Sequence, residues 1–295
     1  MSPQSPVQFR AANLTKPTRL DRVLRDQFPD WGRQAVQRAI GAGHVRLNGK
    51  QVRLASWEVR NGDRLEVTDP PAAKPAGQTV WDDAWIIAEE PDLIAINKPA
   101  GLLSEPTRYS PAASLLGLAK ERFGDVILFH RLDRDTSGLL LLTRHGPINK
   151  YLTAAFQNHA IQKEYVAVVS LPHSLAVTGT IDARLGPHAE RSDQRIVVAR
   201  GGQRAVTRYA LEATSGPWQL VRLWPETGRT HQLRVHLAHL DAPILGDRLY
   251  GPQPPPATRL HLHAQRIELP AAPGYESRSF IAPLPADFWP PELKG

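Results

Sequence analysis

Residues 130–138, His-Arg-Leu-Asp-Arg-Asp-Thr-Ser-Gly, set Arg131, Asp133, Arg134 and Asp135 beside His130, between the apolar run Val126-Ile127-Leu128-Phe129 and the leucines 139–142. A charged turn joining two core strands is one reading, and Thr136-Ser137-Gly138 is good turn chemistry. An ordinary turn, however, keeps its charges at a tip in water, whereas here Leu132 is embedded among them and apolar residues press from both sides. The stretch reads instead as a polar site held by rigid elements. Three further stretches carry unusual polar groups: NKPAGLL (97–103), QKEYVAVV (162–169) and ETGRTHQLRVHLAHLDAPILGDRLYG (226–251). Singly, Asn97-Lys98-Pro99 is a turn, Tyr165 a core tyrosine with one hydrogen bond, and Arg229 and Arg234 the solvated ends of a helix. Together they offer a carboxylate, an aromatic ring and fixed cations, with no thiolate and no strong nucleophilic serine pattern. One nucleophilic or basic carboxylate is the chemistry such a set can do. No Gly-rich phosphate loop follows a strand, so no cofactor is expected. His231, His236 and His239 fall on one expected helix, and His261 and His263 alternate on an expected strand. None of the helix histidines is four residues from another, and no acidic partner sits between them, so no metal is expected.

The elements that must position these groups form two expected domains in a chain of 295 residues with 41% hydrophobic content. No run of about eighteen apolar residues and no apolar N-terminal segment occurs, and there are no cysteines, which favours a soluble cytoplasmic protein with no membrane partner. Residues 1–70 hold 12 Lys/Arg against 7 Asp/Glu, a net +5, whereas residues 71–295 carry a net of only +2. Within the basic segment, Thr18–Phe28 and Gly32–Ile40 have helical spacing. His44–Arg53 alternates around Asn48-Gly49, a two-residue turn of the type that needs positive φ, and Arg64–Val67 reads as a closing strand. Residues 1–69 are thus a small α/β-hairpin domain, residues 70–80 a Pro/Ala-rich semi-rigid linker, and residues 81–295 the larger domain. The latter is rich in short β-branched runs: Trp85–Ala88, Leu93–Ile96, EYVAVV, RIVVAR, AVTRYALE and WQLVRL. Helical candidates are Ala113–Arg122, Asn149–Gln157 and Thr230–Leu240. The expected class is α+β, a mixed and mainly antiparallel sheet with a few helices.

Two resemblances follow from these residues. TRLDRVLRDQF…GRQAVQRAIGAGHVRLNGKQVR is similar to the small αL RNA-binding domain of a ribosomal small-subunit protein and several RNA-modifying enzymes, which implies RNA contacts from Arg33, Arg38, Arg46, Lys50 and Arg53. HRLDRDTSGLLLLTR, with NKPAGLL before it and KEYVAVV and TGRTHQLRVHLAHLDAPILGDRLYG after it, resembles the RluA-type pseudouridine synthases from about Trp85 to about Leu284. That resemblance implies isomerisation of uridine to pseudouridine in RNA, most often large-subunit ribosomal RNA, without cofactor. It implies Asp133 as the essential carboxylate, Tyr165 as the ring against the uracil and Arg229 as the cation paired with Asp133. Arg131 would enter the duplex in place of the target base, and His130, Leu233 and Arg234 would contact substrate. For His130 a buried ring bonded to backbone is the alternative.

The chemistry agrees with the resemblance. Breaking the N-glycosidic bond, turning the uracil and joining its C5 to the sugar needs neither redox equivalents nor a metal. A carboxylate in a water-excluding pocket needs a counter-charge to stay ionised. A stacked uridine must also be extruded, at a few kcal/mol, and its place filled. In an extended segment Arg131 shares a face with Asp133. Spacing alone does not separate Asp133 from Asp135. Asp135 is given the structural role, holding the turn or pairing with a nearby arginine. The competing function is an RNA-binding ribosome-assembly factor with a synthase fold and little activity. A monomer is expected.

Overall fold

The computed structural model describes residues 6–12, 14–28, 33–68, 80–106, 114–144, 146–170, 175–191, 193–253 and 257–289, with the side chains of 33–35, 38 and 170 outside that description. Most of the expected linker, residues 70–79, lies outside it as well. The chain divides into two units, the first within Met1–Val80 and the second comprising Trp81–Glu105 and Ser114–Gly295. Among the described residues no helix is long and apolar enough to cross a membrane.

The first unit contains β1 (Val7–Arg10), β2 (Thr18–Arg19), α1 (Leu20–Gln27), α2 (Arg33–Gly41), β3 (Val45–Leu47), β4 (Lys50–Val52), β5 (Glu58–Val59) and β6 (Arg64–Val67). Its main sheet runs β1-β6-β3-β4, and β2 pairs with β5. Leu20, Val23 and Leu24 recur at helical spacing and bury one face of α1 with Val36 and Ile40 of α2 and Val45, Leu65 and Val67 of the sheet. The expected helix from Thr18 begins at Leu20, because Thr18 and Arg19 pair with Val59 and Glu58 as strand. Asn48 and Gly49 adopt φ of 50° and 82°, the left-handed pair that a two-residue hairpin requires. Arg46, Lys50 and Arg53 are exposed around that hairpin. Arg33 and Arg38 lie on α2, with side chains outside the description.

The second unit opens with a 3₁₀ turn at Asp83–Trp85, then β7 (Ile86–Glu89), β8 (Leu93–Lys98), α3 (Leu115–Phe123), β9 (Val126–Leu128), β10 (Ser137–Arg144), α4 (Pro147–Gln157) and β11 (Gln162–Ser170). It continues with β12 (Thr178–Pro187), β13 (Arg195–Val197), β14 (Gln203–Ser215), β15 (Trp218–Pro225), α5 (Gln232–His239), β16 (Leu262–Leu269) and β17 (Arg278–Ile281). One eleven-stranded sheet runs β13-β12-β14-β15-β11-β16-β10-β8-β7, with β17 beside β16 and β9 beside β10. All of its pairings are antiparallel except β10 with β16. The fold is therefore α+β, with a mixed, mainly antiparallel sheet in the second unit.

Helices cover both faces of the central strands. Leu139 and Leu141 of β10 pack with Leu93, Ala95 and the α4 residues Ile148 and Leu152, while Leu140 and Leu142 pack with Ile94, Ile96 and the α3 residues Leu115 and Leu118. A strand buried on two faces reads as an unbroken apolar run, which is why β8 and β10 show no alternation. The beginning of β10 corrects one expectation. Thr136-Ser137-Gly138 is not the turn: the turn is Arg134-Asp135, closed by the Thr136 amide donating to the Asp133 carbonyl at 3.2 Å. Gly138 lies inside the strand at φ 115°, where a Cβ would overlap the Ala264 backbone of the parallel partner β16.

Candidate active site

The charged segment leaves β9, crosses the end of the sheet and re-enters as β10, and its backbone is clamped by the loop after β8. Ser104 Oγ donates to the Leu132 carbonyl at 2.7 Å and accepts from the Leu132 amide at 3.0 Å. The fully buried Lys98 ammonium donates to the carbonyls of Pro99 (2.8 Å), Leu102 (2.8 Å) and Arg134 (3.0 Å). The Gly101 amide adds a second donor to Arg134 at 2.8 Å. Burial lowers the Lys98 pKa to about 7, against the pull of Asp135 and Asp133. NKPAGLL is therefore a cradle for residues 132–134, and Leu132, 7% exposed, is its apolar anchor. Sequence reasoning saw only a turn at Lys98 and did not single out Ser104.

A cleft of about 350 Å³ opens above the cradle. Asp133, Tyr165, Arg131, His130, Leu233, Arg234 and Arg229 all line it. Asp133 receives a hydrogen bond on Oδ2 from Arg234 Nη1 at 3.3 Å. The same guanidinium grips Asp247 through Nε and Nη2, both at 2.7 Å. Asp247 is itself buried and accepts the amides of Leu249 (2.8 Å) and Tyr250 (3.1 Å). Burial opposes the Arg234 charge, but the Asp247 hydrogen bonds and the nearby Asp133 outweigh it and hold the guanidinium above the ordinary arginine range. The expected pairing of Asp133 with Arg229 is thus corrected. Arg229, in the loop before α5, donates through Nε to the Arg204 carbonyl at 3.2 Å, while Arg234, carried inward on the first turn of α5, is only 4% exposed and is no solvated helix end.

The other groups sort themselves by surroundings. Tyr165, on β11, is half-buried, and burial together with the Asp133 charge pushes its phenol above the ordinary tyrosine range, so its hydroxyl is a hydrogen-bond donor at neutral pH. The Arg131 side chain is 69% exposed and pairs with Glu105 at 3.8 Å. His130 lines the cleft and is also held by backbone, Nε2 accepting the Leu141 amide at 3.2 Å with its ring tilted over Phe156. Burial and Lys163 lower its pKa to about 3, so it is neutral. Asp135 pairs with Arg134 at 3.0 Å, off the cleft. Lys163 and His231 are among the lining residues that were missed. Lys163 shares a face with Tyr165 two positions on, a spacing that was readable in QKEY. His231, weighed only as a metal ligand, places Nε2 3.9 Å from Asp133 Oδ2. Among the described residues no cluster of histidine and acidic side chains has the makings of a metal site.

An anchored carboxylate, an aromatic ring and the cations Arg131, Lys163, Arg229 and Arg234 suit a nucleotide: a ring to stack and a polyanion to hold. Comparison with known proteins agrees. Residues 92–239 match the RNA pseudouridylate synthase family, and residues 18–65 match the S4 domain family. An uncharacterized RNA pseudouridine synthase of Chloroflexus aurantiacus is 38% identical over 285 residues, covering 91% of this chain and 87% of that one. The ribosomal large subunit pseudouridine synthase D of Haemophilus influenzae is 31% identical over 290 residues, covering 92% and 89%. Among solved structures, human RNA pseudouridylate synthase domain containing 4 superposes with a TM-score of 0.56 at 28% identity, covering 70% of this chain and 90% of that one. Fold, sequence and cleft converge: the chain belongs to the RNA pseudouridine synthases of the RluA/RluD type, with an S4-like RNA-binding domain at its N-terminus.

Proposed function

We propose that this enzyme isomerises uridine to pseudouridine in large-subunit ribosomal RNA, with Asp133 as the reacting carboxylate. The observation that carries the reading is the Asp133 carboxylate held at 3.3 Å by a buried arginine in the cleft that also holds Tyr165. In the reaction the N1–C1′ bond breaks, the uracil turns, C5 bonds to C1′, and the proton lost from C5 is balanced by one gained at N1. Asp133 supplies the nucleophile or base, and Arg234 keeps it charged. The Tyr165 ring packs on the uracil and its hydroxyl donates to it. Exposed Arg131, two residues from Asp133, fills the gap left by the extruded nucleotide.

Ribosomal RNA is favoured by the relatives named as large-subunit pseudouridine synthases D and by the S4-like unit, where Arg46, Lys50 and Arg53 face solvent and are available to phosphates. Chemical mapping of pseudouridine in ribosomal RNA, comparing a strain lacking the gene with its parent and with a strain expressing the Asp133→Asn protein, tests this. Loss of one or more large-subunit pseudouridines in both mutant strains is expected. Unchanged large-subunit maps would overturn the substrate assignment.

A further inference from the structure

Arg234 and His231 approach Asp133 at the same oxygen. Arg234 Nη1 is 3.3 Å and His231 Nε2 3.9 Å from Oδ2. His231 sits at the entrance to α5 with φ 57° and ψ 18°, left-handed backbone that a non-glycine residue seldom adopts. Its ring does not cap the helix. Instead Nδ1 lies 2.7 Å from the Tyr250 hydroxyl, and that hydroxyl accepts the Arg195 amide at 2.9 Å. Three segments remote in sequence therefore meet in one hydrogen-bonded chain: Arg195 on β13, Tyr250 after α5, and His231 before it.

The Arg195 amide can only donate, so the Tyr250 oxygen is an acceptor there, and the hydroxyl proton is available to donate to His231 Nδ1. An imidazole that accepts at Nδ1 carries its hydrogen on Nε2, the atom facing Asp133. The ring is neutral at pH 7, because burial and the charges of Arg234 and Arg195 outweigh the attraction of Asp133 and Asp247.

We propose that His231 is a positioning residue for Asp133: the chain through Tyr250 fixes its Nε2–H tautomer, and that N–H with Arg234 ties down Oδ2 so that Oδ1 is presented to the substrate. At 3.9 Å the free enzyme has a charge–dipole contact rather than a hydrogen bond, and it shortens as the substrate closes the cleft. The inference rests on the reading of Asp133 as the reacting carboxylate.

The test uses single-turnover release of tritium from C5 of a [5-³H]uridine-labelled large-subunit ribosomal RNA transcript, with RNA affinity by filter binding and thermal melting as controls. His231→Gln keeps an N–H near the Nε2 position without depending on a tautomer, His231→Leu removes it, and Tyr250→Phe removes the proton that sets the tautomer. His231→Leu should slow turnover roughly 30-fold with affinity retained, and His231→Gln should recover to within about threefold of wild type. Tyr250→Phe should cost about tenfold alone and nothing further on the His231→Gln background. Equal losses for Gln and Leu, or a Tyr250→Phe penalty of the same size in both backgrounds, would overturn the proposal. If Tyr250→Phe does not fold, the Gln and Leu comparison decides alone. Asp133→Asn is measured alongside. Turnover in that variant would overturn the reading of Asp133, whereas an inactive Asp133→Asn with His231→Leu at full rate would overturn only this inference.

Discussion

Arg234→Lys separates charge from geometry at the centre of the site. Arg234 uses two nitrogens on Asp247, both at 2.7 Å, and a third on Asp133 at 3.3 Å. A lysine has one nitrogen and reaches one carboxylate. Asp247 is 1% exposed, so an unpaired charge there is the costlier of the two, and the ammonium settles against it. Asp133 then loses its counter-charge. At 3.3 Å and an effective dielectric of about 20, that pair is worth about 5 kcal/mol. The Asp133 side chain is 23% exposed, so water recovers part of this, leaving roughly 2–4 kcal/mol, or about 30- to 1,000-fold in rate. Single-turnover tritium release should show that loss with RNA affinity retained, and because the same pair is lost from the free enzyme the melting temperature should fall by several degrees. Arg229→Lys, at a side chain that donates to a backbone carbonyl, should lose less than about tenfold. The reverse ranking, Arg234→Lys near wild type and Arg229→Lys inactive, would refute the assignment of the counter-charge.

Tyr165→Phe keeps the ring and removes the donor hydroxyl, so it should lose turnover far more than affinity; a normal single-turnover rate would leave Tyr165 a packing residue only. Replacing Arg46, Lys50 and Arg53 together by Gln should flatten the dependence of RNA affinity on salt by up to about 0.7–0.9 in log–log slope per lost phosphate contact, and an unchanged slope would remove these residues from the interface. Buried His236 and His263 titrate in the fold at about 4 rather than 6.5. The unfolded chain therefore takes up protons first, and stability present above pH 6.5 is lost as the pH falls towards 4, by roughly 2–4 kcal/mol per histidine. A melting temperature that is flat across that window would contradict the burial of neutral rings.

What the sequence disclosed was what local chemistry decides. Asn48-Gly49 announced its hairpin because both residues accept positive φ, and Leu139–Leu142 announced a buried run because no polar residue interrupts it. Asp133 and Tyr165 could be placed in one site through their motifs. What stayed hidden depends on contacts between segments far apart in sequence. Gly138 is required by the Ala264 backbone of β16, not by a turn. Arg229 and Arg234 both flank the start of one helix, and only the way α5 packs decides which reaches Asp133. Lys98 gave no sign of burial, since the carbonyls that satisfy it include Arg134, 36 residues away. His231 lacked a partner until the fold brought Tyr250 to it.

The central claim is that Asp133, and not its neighbour Asp135, does the chemistry. Asp133 faces the cleft beside Arg234, while Asp135 is engaged by Arg134. Each replaced by Asn keeps its size and loses its charge. Release of the uracil C5 hydrogen to water from tritiated ribosomal RNA should be undetectable for Asp133→Asn with RNA affinity intact, and should persist for Asp135→Asn at a lowered melting temperature. Turnover by Asp133→Asn, with Asp135→Asn folded and inactive, would contradict the account.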